Sequence, residues 1–251
     1  MIKSKKNAKE IMPTKDDLIR EKWRYNLDLK ITNEELELLE DDMPVQKIIG
    51  YVYFNKTKIN VNKNVLIPRY ETEELLNIFH SNESISTKST AKVLDMCAGS
   101  GCIGLSLKNN FPLLDITLAD IDSEAIEQIK LNAKELEMNV NIIQSDLFSN
   151  INEKYDYIIS NPPYIPYTEQ LSDSVLKHEP HQALFAKDNG YYFYDIIIKN
   201  MNNYLTKNGK LYLEISDHIF PLMKEKTIGY NIEFIKDING KYRFAILRNN
   251  S

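Results

Sequence analysis

The chain has 251 residues, 43% of them hydrophobic, which suffices for one large α/β domain with a small appendage. Its formal net charge of -5 argues against a substrate bound mainly through phosphates, because such binding needs a basic surface. The sequence contains no run of about 18 apolar residues and no apolar signal-peptide core near its start, so we expect a cytoplasmic protein with no membrane partner.

The first part of the chain, residues 1–43, is charged and contains no glycine. Its apolar positions cluster around Leu18 and around Leu39, which predicts two short helices behind a basic tail that we expect to be disordered. Thr32 and Glu35 have the spacing of a capping box at the start of the second helix. We therefore predict a small helical appendage.

A β-hairpin linker is predicted at residues 44–70. The pattern is β-like from residue 46 to residue 67, with Asn and Lys turn residues between the strands. A helix at residues 71–79 then opens the main domain, which we place at residues 71–251.

Strands and helices alternate in this main domain. Strands are predicted at residues 92–96, 115–119, 140–144, 155–160, 210–215, 231–236 and 242–247, and helices at residues 103–109, 123–137, 191–205 and near Phe220. Residues 161–186 are predicted to be a long loop. Such alternation indicates a mostly parallel sheet with helices on both faces.

A glycine-containing loop follows the first strand of the main domain, with the residues Cys97, Ala98, Gly99, Ser100 and Gly101. In open α/β sheets, ligands bind beyond the carboxyl ends of strands, and glycine lets the backbone approach them closely. Asp120 ends the next strand about twenty residues on, where a carboxylate can accept hydrogen bonds from both hydroxyls of an adenosine ribose. The structural alternatives are a simple connecting turn and an aspartate that caps the following helix.

NAD and S-adenosylmethionine both fit this pattern. The loop lacks the three-glycine dinucleotide fingerprint and so makes less provision for a pyrophosphate at the helix N-terminus. S-adenosylmethionine has no phosphate and fits better. Asp146 and Leu147, beyond the third strand, are candidates to bond the adenine amine and to pack on its ring, the alternative being a turn aspartate beside a core residue.

The loop Asn161, Pro162, Pro163 and Tyr164 follows the strand at residues 155–160, at the same edge of the sheet. An amide nitrogen is a poor nucleophile because its lone pair is delocalised, so positioning has to supply the catalysis. The Asn161 side-chain oxygen and the Pro162 carbonyl can accept the two N–H bonds of an NH2 group. The prolines fix the backbone, and Tyr164 offers a flat face to a planar amide or base. The loop predicts methyl transfer to an amide or amine nitrogen, with glutamine and adenine both open as acceptors.

We expect no metal site. His178 and His181 flank Pro180, which breaks the helix that a metal-binding histidine pair needs. Cys97 and Cys102 match no common zinc spacing and are predicted to be packing residues.

Further segments make residues 44–248 resemble the HemK/PrmC family, the protein-(glutamine) methyltransferases that modify peptide chain release factors. The most specific is the signature formed by Pro68, Arg69, Glu71, Thr72 and Glu73. Other matching positions in family order are Gly50, Phe54, Glu179, Pro180, Ala183, Leu184, Gly190, Leu213, Glu214, Ile215, Asp237, Gly240 and Arg243.

The resemblance implies a Rossmann-like class I S-adenosylmethionine-dependent methyltransferase fold, with a mostly parallel seven-stranded sheet and an antiparallel C-terminal strand. With Asp146 added from the pattern above, the expected cofactor residues are Cys97, Ala98, Gly99, Ser100, Gly101, Asp120, Asp146, Leu147 and Asn161. The resemblance also implies that Asn161, Pro162, Pro163 and Tyr164 hold the glutamine of a Gly-Gly-Gln tripeptide in a class I release factor. It further implies that residues 1–43 dock that factor and that Glu71 and Glu73 support the cofactor pocket.

Three positions depart from the family pattern: Cys97 and Ser216 stand where glycine is usual, and Tyr70 where proline is usual. Two alternative functions stay open on the residues alone. One is methylation of an adenine amine in DNA or ribosomal RNA, because those enzymes share the Asn161 loop, although they lack the signature around Arg69. The other is a cofactor-binding partner protein without turnover, suggested by the altered loop at Cys97.

Overall fold

The computed structural model describes residues 12–249. The basic tail at residues 1–11, for which the sequence predicts disorder, lies outside the described residues, as do residues 250–251. The described part begins with three helices: α1 (Lys15–Arg24), α2 (Asn33–Glu40) and α3 (Val45–Ile49).

Threonine caps begin the first two helices. The hydroxyl of Thr14 accepts a hydrogen bond from the Asp17 N–H, that of Thr32 accepts one from the Glu35 N–H, and each acid in turn accepts from the N–H of its threonine. These reciprocal bonds satisfy donors that a helix end leaves free. The predicted capping box at Thr32 is thus confirmed. Lys22 pairs with Glu35 at 2.6 Å and joins α1 to α2.

An antiparallel hairpin, β1 (Tyr51–Phe54) and β2 (Thr57–Asn60), links the helices to the main domain. The Asn60 N–H donates to the side chain of Asn132 at 3.0 Å, and the Asn132 side chain donates back to the Asn60 carbonyl at 3.1 Å. Because Asn132 is fully buried, this exchange fixes the hairpin against the main domain.

The β structure predicted across residues 46–67 is wrong at both ends. At the first end, Pro44 precedes the helix α3, which stops at Gly50 in the left-handed region, with φ of 89°. At the other end, the backbone N–H groups of Lys63 and Ile67 donate to side chains of the main domain and not to a neighbouring strand.

The main domain alternates helices and strands much as predicted. In chain order they are α4 (Tyr70–Glu83), β3 (Lys92–Met96), α5 (Cys102–Asn110), β4 (Asp115–Asp120), α6 (Ser123–Glu135), β5 (Asn141–Gln144), β6 (Tyr155–Ser160), β7 (Ile165–Pro166), α7 (Asp173–His178), α8 (His181–Leu184), β8 (Phe185–Ala186), α9 (Tyr192–Tyr204), β9 (Leu205–Glu214), α10 (Phe220–Lys226), β10 (Ile232–Lys236) and β11 (Tyr242–Arg248).

Within residues 12–249, seven strands form one sheet in the order β10-β11-β9-β6-β3-β4-β5. The pairs from β9 through β6, β3 and β4 to β5 are parallel, and β11 is antiparallel to both β9 and β10. The predicted class I methyltransferase fold is confirmed, including its antiparallel C-terminal strand. The chain order reverses between β3 and β6, so the loops after these two strands diverge and leave a crevice at the carboxyl edge.

Two apolar cores cover the faces of the sheet. One packs α4, α5 and α6 on the first face, with Leu75, Phe79, Leu105 and Ile129 fully buried. The other packs α9 and α10 on the second face, with Leu94, Ile158, Tyr194 and Met223 fully buried. A Leu or Ile side chain contributes roughly 1.5–3 kcal/mol when fully buried, so the sheet is a firm base for the loops at its edge.

The loop predicted at residues 161–186 contains short elements, namely β7, α7, α8 and β8. The two strands pair with each other, Ser172 caps α7, and Pro180 precedes α8. These elements are two to six residues long, too short for a periodic pattern to reveal. They fold the segment back toward the crevice.

Among the helices of the described residues, none has both the length and the apolar character that crossing a membrane requires.

Candidate functional site

A cavity of about 210 Å³ lies in the crevice, beyond the ends of β3, β4 and β6. It is lined by the glycine loop after β3, by the turn at Asp120 after β4, and by Asn161 and Pro163 after β6. Arg69 and Pro180, from segments at either side, also line it. The topology thus brings together residues from distant parts of the sequence.

Most of the residues expected to bind cofactor line this cavity: Cys97, Ala98, Gly99, Ser100, Asp120, Asp146, Leu147 and Asn161. Gly101 is instead packed against the sheet, with φ of 80°, and a Cβ on it would come within 3.2 Å of the Leu118 and Ile129 side chains. Gly101 therefore serves the close approach of α5 to its neighbours.

Two side chains hold the glycine loop in place. Asp120 accepts a hydrogen bond from the Gly99 N–H at 2.8 Å, and Asn132 donates to the Ser100 carbonyl at 3.0 Å. Asn132 was not among the residues predicted for the site. Its signal is its position on the buried face of α6, in register with Ala125 and Ile129, where a polar residue needs a specific partner.

Asp120 is equipped to accept further hydrogen bonds. Burial raises the pKa of its carboxyl, against the lowering effect of the N–H groups of Asp122 and Gly99. Each carboxylate oxygen accepts one of these bonds and keeps lone-pair capacity. Hydroxyl donors from a ribose fit this position.

Two carboxyl groups, those of Asp120 and Asp146, line the cavity. Burial raises the pKa of the Cys97 thiol, and the charges of Asp120, Asp95 and Asp146 raise it further. Carboxylates around one cavity attract a sulfonium and repel a pyrophosphate. These carboxyl groups therefore fit S-adenosylmethionine better than a dinucleotide.

Asn161 lies at the end of a short chain of hydrogen bonds. Its side-chain Nδ2 donates to Thr72 Oγ1 at 3.2 Å, and Thr72 Oγ1 donates to Glu214 Oε2 at 2.6 Å. Thr72 and Glu214 are 3% and 1% exposed, so the bond between them is shielded from water. With its NH2 end bonded in this way, the Asn161 amide presents its oxygen as the free acceptor.

Thr72 belongs to the family-like signature in the sequence, but only its neighbours Glu71 and Glu73 were given a role there. Glu71 and Glu73 are only partly buried on α4, whereas Thr72 lines the cavity. The signal was present, because Thr72 shares a helical face with the buried Leu75, Leu76 and Phe79 at spacings of three, four and seven.

Of the remaining residues of the Asn161 loop, Pro163 lines the cavity, whereas Pro162 and Tyr164 are not among the lining residues. Pro162 is buried, and burial raises the pKa of the Tyr164 hydroxyl to about 12. The Tyr164 carbonyl faces Gly190, where a Cβ would lie only 2.1 Å from the carbonyl oxygen. Gly190 therefore makes room for the loop.

A buried carboxylate joins two of the family-like segments. Glu179 accepts from the Ile67 N–H at 2.9 Å and pairs with Arg69 at 2.5 Å. The Glu179 side chain is 1% exposed, whereas that of Arg69 is 36% exposed, so the carboxylate is buried and the guanidinium is only partly so. This contact holds the segment around Pro180 next to the cavity.

Cys97 adopts a backbone conformation that disfavours a side chain. Its φ is 59°, in the left-handed region, which costs an L-residue roughly 1–2 kcal/mol. Cys97→Gly is therefore expected to be more stable to unfolding than Cys97→Ala by about 1 kcal/mol, measured by urea denaturation.

Cys102 provides the matched control for this comparison. It is buried in the first turn of α5, where alanine is the better helix former by roughly 1 kcal/mol. The order of the Gly and Ala variants is thus expected to invert between the two cysteines. The same order at both positions would contradict backbone strain at Cys97.

The two histidines considered as metal ligands bond to backbone instead. The ring Nε2 of His178 donates to the Asp41 carbonyl at 2.7 Å, and that of His181 donates to the Leu176 carbonyl at 2.8 Å. Within residues 12–249, no group of three or more His, Cys, Asp or Glu side chains is arranged to hold a metal ion.

Comparisons with known proteins agree with this geometry. The methyltransferase small domain model matches residues 72–184. A Lactococcus lactis protein named release factor glutamine methyltransferase is 37% identical over 90% of this chain and 87% of its own length. A Streptococcus pneumoniae protein of the same name is 41% identical over 86% of this chain and 81% of its own. The crystal structure of a methyltransferase from Pyrococcus furiosus shares the fold, with a TM-score of 0.58 at 17% identity, over 88% of this chain and 100% of that one.

Proposed function

The chain belongs to the release factor glutamine methyltransferases, and on that premise we propose that it transfers a methyl group from S-adenosylmethionine to the side-chain amide nitrogen of a release-factor glutamine. The acceptor is the glutamine of the Gly-Gly-Gln tripeptide of a class I release factor, and the modification tunes translation termination in the cytoplasm. The observation that carries the proposal is the Asn161 amide, held with its oxygen free at a cavity suited to a cation.

The bound cofactor supplies a methyl group made electrophilic by the sulfonium. The residues of the chain have to bring the glutamine nitrogen into line with it. We assign the two N–H bonds of the glutamine to Asn161 Oδ1 and the Pro162 carbonyl, with Pro163 and Tyr164 fixing the plane of the amide. This arrangement orients the nitrogen while it still holds both protons, and one of the two leaves the nitrogen to solvent once the methyl group is attached.

We assign the adenosine of the cofactor to Asp120, Asp146 and Leu147, and its methionine end to the glycine loop. The acceptor capacity of Asp120 supports the ribose assignment. The carboxylates acting on Cys97 support the placement of the sulfonium nearby. A phosphate-bearing cofactor would meet repulsion in the same place.

We further propose that α1 and the hairpin contact the release factor. Trp23 and Tyr53 are 72% and 50% exposed, which is unusual for large aromatic side chains. Arg24 donates to the Tyr70 hydroxyl at 2.8 Å and so ties α1 to the start of α4, two residues before Thr72. A partner held by α1 would thereby lie close to the cavity.

The experiment incubates the protein with labelled S-adenosylmethionine and one of three acceptors. These are an intact release factor, the same factor with Gly-Gly-Gln changed to Gly-Gly-Ala, and an adenine-containing oligonucleotide. Among these three we expect label only on the intact factor, at one glutamine. A short Gly-Gly-Gln peptide, assayed separately, is expected to be labelled with a higher KM than the intact factor. Label on the oligonucleotide alone would overturn the function, and equal KM values would overturn the docking assignment.

A further inference from the structure

The Asn161 amide has two ends of similar shape and opposite hydrogen-bonding character. Its oxygen accepts and its NH2 group donates, so a half-turn of the amide exchanges an acceptor for a donor. A glutamine NH2 group can be held only by acceptors. The orientation of this one amide therefore decides whether the acceptor glutamine is held or repelled.

The neighbours of Asn161 define which orientation is stable. An ionised Glu214 can only accept, so the Thr72 hydroxyl must donate its single proton to it. The Thr72 oxygen is then left only as an acceptor, and Asn161 must turn its NH2 end toward it. The ionised Glu214 therefore fixes the direction of both hydrogen bonds, first that from Thr72 and then that from Asn161.

We propose that Thr72 and Glu214 are positioning residues, which fix the Asn161 amide with its oxygen toward the glutamine. This inference rests on the proposed function of Asn161 and adds the pair that orients it. Neither residue touches the reacting atoms. Glu214 is 1% exposed, so its carboxylate has no ready access to water when the Thr72 hydroxyl is removed.

Glu214 has to be ionised for this polarity to hold. Burial raises its pKa to about 7, and the Thr72 hydrogen bond, Arg243 and Arg69 oppose that rise, whereas Glu71 adds to it. The other titratable groups that interact with it are Tyr164, Tyr194 and Cys102. A protonated Glu214 can donate to the Thr72 oxygen. The Thr72 hydroxyl can then donate its own proton to the Asn161 side-chain oxygen, so the Asn161 amide can rotate by a half-turn and point its NH2 end toward the glutamine. We expect kcat to fall as the pH drops through about 7.

The first test compares Thr72→Val with Thr72→Ser. The valine has the same shape but no hydroxyl, and we expect kcat to fall on the order of 10²-fold with little change in the Kd for S-adenosylmethionine. The serine keeps the hydroxyl and is expected to retain kcat within about threefold. The pH dependence near 7 should be present in wild type and Thr72→Ser, and absent in Thr72→Val.

A second test separates orientation from stability. Thr72→Val alone leaves the Glu214 carboxylate unpaired and destabilises the fold, but Thr72→Val/Glu214→Met replaces both partners with apolar groups of similar shape. We expect the melting temperature to recover in the double variant while kcat stays low. Recovery of kcat together with stability would overturn the positioning role of Thr72 and Glu214, as would a Thr72→Val variant with wild-type kcat. If the wild-type protein labels no release factor, the proposed function itself is wrong, and the positioning role of Thr72 and Glu214 is overturned with it.

Discussion

Asn161→Ala is expected to lower kcat by at least about 10²-fold while the Kd for S-adenosylmethionine stays within a few-fold of wild type. The substitution removes one of the two acceptors that aim the glutamine nitrogen at the methyl group. That contact matters most in the transition state, where the alignment must be closest. The cofactor keeps its contacts with the glycine loop, Asp120 and Leu147. Single-turnover kinetics and calorimetric titration of the cofactor measure the two quantities separately.

Asn77→Ala is a suitable control for this variant. Asn77 lies exposed on α4, on the side of the helix away from the buried Thr72. We expect it to leave kcat and cofactor affinity unchanged. An Asn161→Ala enzyme that turns over at nearly the wild-type rate would show that Asn161 holds no N–H of the substrate. A loss of cofactor affinity as large as the loss of kcat would show that Asn161 binds the cofactor and not the glutamine.

The sequence predicts the sheet of this protein well because its strands are short apolar runs with turn residues between them. The strands β3 and β6 begin and end at the predicted residues, and they carry the loops that form the cavity. Local sequence patterns predict the wrong secondary structure where flanking residues or tertiary contacts determine the backbone conformation. Residues 45–49 have a β-like composition, but Pro44 and Gly50 enclose them in a helical turn.

Contacts between distant residues account for what was missed at the site. Thr72 and Glu214 are 142 positions apart, and only the packing of α4 across β9 brings them together. Glu179 likewise reaches Ile67 and Arg69 across more than one hundred positions. Sequence patterns single out these residues as family-like positions, but no local pattern shows which of them pair with each other.

Gly190 is another family-like position whose role the sequence does not show, and Gly190→Ala is expected to displace the Asn161 loop. The residue has φ of 89°, and an added Cβ would lie 2.1 Å from the Tyr164 carbonyl oxygen and 3.0 Å from the Ile219 side chain. Because the obstacle is backbone, it cannot move aside as a flexible side chain would. We expect kcat to fall on the order of 10²-fold, since a displacement of about 1 Å in a positioning group has such an effect.

Gly229→Ala separates this clash from backbone strain. Gly229 has nearly the same φ, 92°, but a Cβ there meets nothing within 4 Å. Both variants bear the left-handed penalty of about 1–2 kcal/mol in unfolding free energy. Only Gly190→Ala adds the cost of overpacking, about 1–3 kcal/mol more, and only it should lose activity. Equal losses of stability with full activity in both variants would mean that the Tyr164 carbonyl can yield, and that the Asn161 loop does not depend on Gly190 for its position.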